Sequence, residues 1–275
     1  MKILTVTAAM LIAPGVTAAA AGTASFPEVV RQIQAADYRG ERAELQRLAG
    51  ILDRGKDPKL AAYRHYWRGF ALWRRALNGF NETPTPPDLE DDLKAGIASF
   101  QAALTAKPDW IEARIGIVGC AGPLMFLAKD DAPHREALLK DYIPVVREMN
   151  EKSADNPRAL WLMGQNQLGA PPPYGGDIAK AAATFHRGIE AALAEARQIG
   201  ADEPTWIPRW GGAENLMNLA YLYTHTALTN RDLAIAYAEG ALVAAPEWHY
   251  VRDVLWPKIQ ALPPAAAAPS SDKTP

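Results

Sequence analysis

Side chains that could act as nucleophiles are scarce in this chain and stand outside known catalytic motifs. Serine occurs at five positions, none of them within the Gly-x-Ser-x-Gly turn that exposes the nucleophile of an α/β-hydrolase. Cys120 is the only cysteine, and no flanking signature marks it as a nucleophile. A single cysteine also excludes an intramolecular disulfide and a four-cysteine zinc site. We therefore interpret Cys120 as a buried structural thiol.

Residues that could ligate a metal ion or transfer a proton are dispersed. None of the five histidines stands in a His-Glu-x-x-His zinc motif. His186 and Glu190 would share one helix face and could bind a metal together, but we interpret them as a surface pair. The carboxylates of Glu90, Asp91 and Asp92 suit the first turn of a helix, where they interact favourably with its dipole. The sequence predicts no catalytic residue, no metal site and no cofactor.

Two glycine-rich stretches could bind a phosphate group, but neither fits a phosphate-binding motif. Residues 116–122 do not follow Gly-x-Gly-x-x-Gly and no strand pattern precedes them, so close helix packing explains them better. Gly175 and Gly176 lack the following Lys-Ser/Thr of a phosphate loop, and Asp177 would repel an anion. They predict a tight turn beside Tyr174. A formal net charge of −2 provides no basic field for nucleic acid.

The two ends of the chain differ in composition from the rest. Residues 1–24 contain Lys2, a short apolar stretch and then small residues with Ala-x-Ala cleavage sites, which is typical of a signal peptide. We predict export to the periplasm or secretion, without stable membrane insertion after cleavage; an uncleaved anchor is the alternative. Residues 263–275 are rich in proline and alanine and are predicted to be a disordered tail.

A repeated pattern of proline and aromatic residues organises the segment between these ends, residues 25–262. Five prolines are separated by 50, 49, 47 and 42 residues, and a large aromatic residue follows each within five positions. They are Pro58, Pro108, Pro157, Pro204 and Pro246. Between them, apolar residues recur at three- and four-residue steps, which predicts pairs of amphipathic helices. Bulky first helices and alanine-rich second helices favour antiparallel pairs stacked along one axis.

This pattern resembles the tetratricopeptide repeat, which has an aromatic residue, Leu-Gly and Tyr on its first helix and Ala, Phe, Ala and Pro on its second. Gly69, Gly164 and Ala220 correspond to the small position of the first helix. The second-helix matches are Phe100, Ala103, Pro108, Ala181, Phe185, Ala234, Ala238, Ala241 and Pro246. The period is longer than the family's roughly 34 residues, which implies lengthened loops inside the hairpins.

The resemblance implies an all-α fold, a right-handed solenoid of about five antiparallel helix hairpins with a C-terminal capping helix at residues 251–262. Residues 26–55 are interpreted as a degenerate first hairpin. The second repeat departs most from the family, because Pro144 is expected to kink or split its second helix.

A solenoid of this type implies binding through a concave face lined by the first helices. In the register set by the small positions, that face receives Tyr66, Trp73, Arg74, Gln165, Tyr221, Thr224 and His225. Tyr174, at the tip of an extended loop, is a further candidate for partner binding. We therefore predict a non-enzymatic protein that binds another protein or a peptide. The alternatives are a small-ligand receptor, an enzyme on an α/α toroid, and a passive scaffold.

Overall fold

A computed structural model describes residues 24–200 and 202–264, and this part of the chain is all-α, without a strand. The helices are α1 Phe26–Arg39, α2 Arg42–Arg54, α3 Ala61–Gly79, α4 Leu89–Ala106, α5 Ile111–Leu127, α6 Ala132–Lys152, α7 Pro157–Gly169, α8 Ile178–Arg197, α9 Gly212–His225, α10 Arg231–Ala244 and α11 Trp256–Gln260. The predicted signal peptide and nearly all of the predicted tail lie outside the described residues. No helix in the described part is both long and apolar enough to cross a membrane.

Side chains at the helix starts explain several boundaries. The Asp177 carboxylate accepts a hydrogen bond from the backbone N–H of Lys180 at 2.9 Å, which caps α8 as its sequence predicts. Asn230 caps α10 in the same way, through the N–H of Leu233 at 3.1 Å. The acidic residues of α4 do lie in its first turn.

Glycines on α5 allow large side chains of neighbouring helices to approach its backbone. A Cβ atom on Gly119 would lie 2.2 Å from the Trp73 ring, and one on Gly116 would lie 2.3 Å from Phe100. Close packing is therefore the reason for this glycine-rich stretch. Cys120, between them, is completely buried, and burial raises the pKa of its thiol.

Of the two expected effects of Pro144, a kink or a split, the split does not occur. Helix α6 runs unbroken from Ala132 to Lys152 with Pro144 inside it. Proline removes one backbone donor, but long helical stretches on both sides keep their own hydrogen bonds. Helix α6 packs mainly on α5 and buries only Leu138 and Met149.

Most helices that are neighbours in the chain pack against each other, and the odd-numbered helices α1, α3, α5, α7 and α9 contact one another in order. After α10, a π-helical turn at Tyr250–Leu255 leads into α11, close to the predicted capping helix. Just before this turn, the ring of Trp248 packs edge-on against Tyr38 at the end of α1, with ring centroids 4.9 Å apart. The two ends of the folded part are therefore in contact.

Candidate functional site

One face of α3 carries three of the predicted binding residues, and the chain itself covers that face. Tyr66 and Trp73 are each 1% exposed and Arg74 is 5% exposed. The cover is formed by residues 204–211 of the connection between α8 and α9, and we call these residues the inner segment. Its Trp210 ring lies 5.5 Å from Trp73, and its indole N–H donates a hydrogen bond to the Tyr66 hydroxyl at 2.9 Å.

Side chains of α3 and α7 donate hydrogen bonds to backbone carbonyls near both ends of the inner segment. The Trp67 indole N–H donates to the carbonyl of Trp206 at 2.7 Å, and the Arg158 guanidinium donates to the carbonyl of Trp210 at 3.0 Å. Gly211 then turns the chain into α9 with φ of 114°, a conformation that favours glycine. Its N–H donates to the Glu214 carboxylate at 2.7 Å. The segment is therefore anchored to α3, α7 and α9.

Buried charges next to the inner segment compensate one another. The Arg74 guanidinium lies 2.7 Å from the Asp37 carboxylate and 3.8 Å from that of Glu214. The Tyr38 hydroxyl donates to Glu214 at 3.1 Å. Burial raises the pKa of Glu214, and the positive charge of Arg74 opposes that shift. Since each charge faces a partner in the protein, this cluster ties α1, α3 and α9 together.

The expectation that Tyr66, Trp73 and Arg74 line an open groove is therefore wrong for this structure. Tyr66 and Trp73 both contact the inner segment, whereas Arg74 pairs with Asp37 and Glu214. The difference lies in the connection between α8 and α9, whose contact with α3 the repeat register does not predict. Because its tryptophans are apolar and find aromatic partners on α3, the connection folds over that face.

The remaining part of the predicted face is open and forms a pocket of about 520 Å³. Three predicted residues, Gln165 on α7 and Tyr221 and His225 on α9, line it together. The other lining residues are Leu168, Gly169, Met217, Asn218, Thr226 and Tyr250. The pocket therefore lies between α7, α9 and the π-helical turn, and we call it the α7–α9 pocket.

Aromatic rings form one part of its wall. Tyr221 and His225 stack with their ring centroids 4.4 Å apart and their planes at 18°. His225 Nδ1 lies 3.1 Å from the Tyr221 carbonyl oxygen, and that distance fits a hydrogen bond donated by the ring. Burial, with a smaller contribution from Tyr221, raises the pKa of Tyr250 to about 12. The Tyr250 hydroxyl is consequently neutral and able to donate at physiological pH.

Two amides supply the most adaptable polar groups. Asn218 is 5% exposed and Gln165 is half-buried, and both line the pocket. An amide offers both donors and an acceptor to a ligand. A ligand in the pocket would satisfy both. Among its described lining residues, none is Asp, Glu, Lys or Arg.

Two further predicted binding residues, Thr224 and Tyr174, also lie outside this pocket. Thr224 is buried, and its hydroxyl donates to the carbonyl of Ala220 at 2.6 Å, so its polar group is already used within α9. Tyr174 is 79% exposed on the loop before α8, where Gly175 with φ of 92° makes the predicted tight turn.

Sequence reasoning missed Asn218 and Tyr250. Asn218 precedes Tyr221 by three positions, so helical spacing alone would have placed it on the same face. Tyr250 had no comparable signal, because its position depends on how the terminal helix returns to α9. The residue belongs to the π-helical turn, far from α7 and α9 in the sequence.

Metal-ligating side chains are dispersed across the residues that the structure describes. No cluster of three or more His, Cys, Asp or Glu side chains in the described part of the chain could hold a metal ion. His186 lies 3.4 Å from the Tyr237 hydroxyl, in a ring contact between α8 and α10. Comparisons of the chain with protein-family models, with curated proteins and with solved structures found no match.

Proposed function

We propose that this chain is an exported, non-enzymatic helical-repeat protein of the tetratricopeptide type that binds a ligand in the α7–α9 pocket. One observation carries the proposal. Gln165, Tyr221 and His225 were chosen as binding residues from a repeat register, and they line a single pocket. Asn218 also lines that pocket and supplies a second amide. Concave pockets with mixed aromatic and polar walls are the usual sites of small ligands.

The packing order supports the solenoid part of the proposal. Contacts link α1 with α3, α3 with α5, α5 with α7, and α7 with α9. In a right-handed stack of antiparallel hairpins, the first helices of successive hairpins form such a row. The row of odd-numbered helices then has two parts. The inner segment covers the part at α3, and the part at α7 and α9 forms the pocket.

The covered part of the row changes which kind of ligand we favour. An extended peptide would need the α3 face, and Trp210 occupies it. A pocket of about 520 Å³ suits a small molecule or a short chain end instead. The small-ligand receptor therefore becomes the first candidate, and capture of a peptide end in the same pocket is the second.

An α/α toroid enzyme is less well supported. Contact between Tyr38 and Trp248 would fit a closed ring of hairpins. However, the inner segment fills the middle of the α3 face, where a polysaccharide would have to enter. No carboxylate or thiol lines the α7–α9 pocket among its described residues, so an acid–base pair of acidic residues does not form there.

Thermal melting with a compound panel tests the proposal. The panel contains neutral sugars, nucleosides, amino acids and capped dipeptides, each added to the wild type, Tyr221→Ala and Tyr174→Ala. At a hundredfold excess over Kd, a ligand adds about 2.7 kcal/mol, which raises the melting temperature by roughly 5–10 °C for a chain of this size. We expect such a shift in the wild type and Tyr174→Ala, and its loss in Tyr221→Ala.

Tyr174→Ala is the matched control because it removes an exposed tyrosine outside the pocket. If binding depends on Tyr174 and not on Tyr221, recognition occurs on the loop before α8 and the proposal is wrong. A panel without any shift that depends on Tyr221 also contradicts it.

A further inference from the structure

The lining of the α7–α9 pocket combines polar, aromatic and apolar residues and contains no Asp, Glu, Lys or Arg among its described residues. Its polar groups are the amides of Gln165 and Asn218, the hydroxyls of Tyr221 and Tyr250, and the His225 ring. A ligand with a formal charge would lose its hydration in this pocket without gaining an ionic partner. The lining therefore selects for a neutral molecule.

The polar groups of the pocket both donate and accept hydrogen bonds. A side-chain amide has an N–H donor and a carbonyl acceptor, and a phenolic hydroxyl can do either. Alcohol hydroxyls have the same double character, and two neighbouring hydroxyls can pair with one amide through both of its ends. Asn218 and Gln165 each offer such an amide to a ligand in the pocket.

The aromatic rings of the pocket suit a ligand that has an apolar face as well as hydroxyl groups, as a sugar ring does. The face of an aromatic ring carries negative charge density, which attracts the weakly positive C–H groups of an apolar surface. A sugar ring presents C–H groups on its faces and hydroxyls at its edge. The stacked Tyr221 and His225 rings provide such a wall, and the amides of Gln165 and Asn218 supply polar groups in the same pocket.

We propose that the α7–α9 pocket binds a neutral mono- or disaccharide, with its hydroxyls on the Gln165 and Asn218 amides and a ring face on Tyr221. The inference rests on the proposed binding function and specifies its ligand class. A volume of about 520 Å³ accommodates a ligand of this size. Neutral nucleosides and capped peptides are the competing classes, because both also carry amide-like groups and neither needs a charged partner.

Isothermal titration calorimetry with pairs of related sugars tests the inference. The probes are glucose, galactose, N-acetylglucosamine and maltose, with glucuronate and glucosamine as charged counterparts of the same ring. We expect at least one neutral sugar to bind, and its charged counterpart to bind at least tenfold more weakly. Adenosine and N-acetyl-alanyl-alanine amide represent the competing classes.

Variants locate the binding site. Gln165→Ala is expected to weaken binding of the neutral sugar about three- to tenfold, as removal of one uncharged hydrogen-bonding partner does. Asn218→Leu keeps a side chain of similar size and removes the amide, and we expect at least a tenfold loss. Asn166→Ala, next to Gln165 on the exposed side of α7, is the matched control and should bind like the wild type.

The outcomes separate this inference from the proposed function. If adenosine or the capped peptide binds in a manner that depends on Gln165 and no sugar does, the ligand class is wrong and the binding function stands. If a sugar binds equally to Gln165→Ala and Asn218→Leu, its site lies elsewhere and the inference is overturned. Equal affinity for glucose and glucuronate also overturns it.

Discussion

The face predicted to bind a partner divides into two halves with opposite properties. In the α3 half, Tyr66 and Trp73 are buried under the inner segment, and Trp210 supplies the aromatic contacts that a ligand would otherwise make. In the half between α7 and α9, Gln165 and Tyr221 remain accessible around a pocket. Aromatic residues on a first helix therefore identify a face that must be covered, but not what covers it.

The two halves also differ in how their polar groups are satisfied. Near the inner segment, Arg158 pairs with Glu112 at 2.7 Å and with Glu195 at 2.6 Å, and it also donates to the Trp210 carbonyl. In the α7–α9 pocket, the amides of Gln165 and Asn218 have no such partners among the described residues. Ion pairs of this kind stabilise the covered half, although Trp73 Nε1 and Arg74 Nη1 are buried there without a partner in the part of the chain that the structure describes. The polar atoms of the pocket can instead be reached by solvent or by a ligand.

Removing the cover should have the largest effect. Trp210→Ala is expected to lower the free energy of unfolding by about 3–5 kcal/mol, because it leaves a cavity beside Phe70, Trp73 and Trp161. Tyr221→Ala in the open half should cost about 1 kcal/mol or less. Urea denaturation followed by far-ultraviolet circular dichroism measures both.

Trp210→Phe is the control for this comparison, because it keeps an aromatic ring and removes the N–H donor to Tyr66. Its expected cost is about 1–3 kcal/mol. If Trp210→Ala leaves the denaturation midpoint unchanged, the inner segment is held loosely and the α3 half can open for a partner.

A glycine in the covered half should show a smaller effect. Gly119→Ala places a methyl group against the Trp73 ring and should destabilise the protein by about 1–3 kcal/mol. Gly50→Ala is the matched substitution within α2, where the nearest atom belongs to the end of the flexible Arg54 side chain at 3.7 Å. There the better helix propensity of alanine should add about 0.5–1 kcal/mol.

Chemical denaturation of both glycine variants decides between packing and helix propensity. If Gly119→Ala is as stable as the wild type, Trp73 has more space than its contacts with α5 indicate. The covered half would then be less rigid than its burial suggests.

Alkaline titration should distinguish the tyrosines of the covered half from those of the pocket, with the smallest expected effect on stability. Burial raises the pKa of Tyr66 far above the ordinary value of about 10, whereas the pKa of Tyr250 rises only to about 12. A tyrosine that is harder to ionise when folded stabilises the protein fully below pH ~10 and loses this contribution as the pH rises. For Tyr250 the loss falls between about pH 10 and 12.

Tyrosinate absorbance of the native protein measures this difference. Tyr250→Phe should remove one tyrosine that ionises late and reduce the loss of stability across that pH range. Tyr66→Phe should leave the absorbance of the folded protein unchanged until it unfolds. An early signal that depends on Tyr66 would mean that solvent reaches the covered half.

Local sequence patterns determined much of the secondary structure. Apolar residues at three- and four-residue steps predicted helices because an α-helix places such residues on one face. Asp177 predicted the start of α8, since its carboxylate satisfies a free backbone N–H. The pattern failed at Pro144, where the rest of α6 tolerates the loss of one hydrogen bond.

The sequence also determined which side chains share a face, but only the tertiary structure decided which of them remain accessible. The register on α3 and α9 follows from helical spacing, and it placed Tyr66 and Tyr221 on the inner side alike. Their different burial depends on the inner segment over Tyr66 and on the π-helical turn, which carries Tyr250, beside Tyr221. These contacts join residues more than a hundred positions apart in the case of Tyr66 and Trp210, and no local periodicity encodes a contact of that kind.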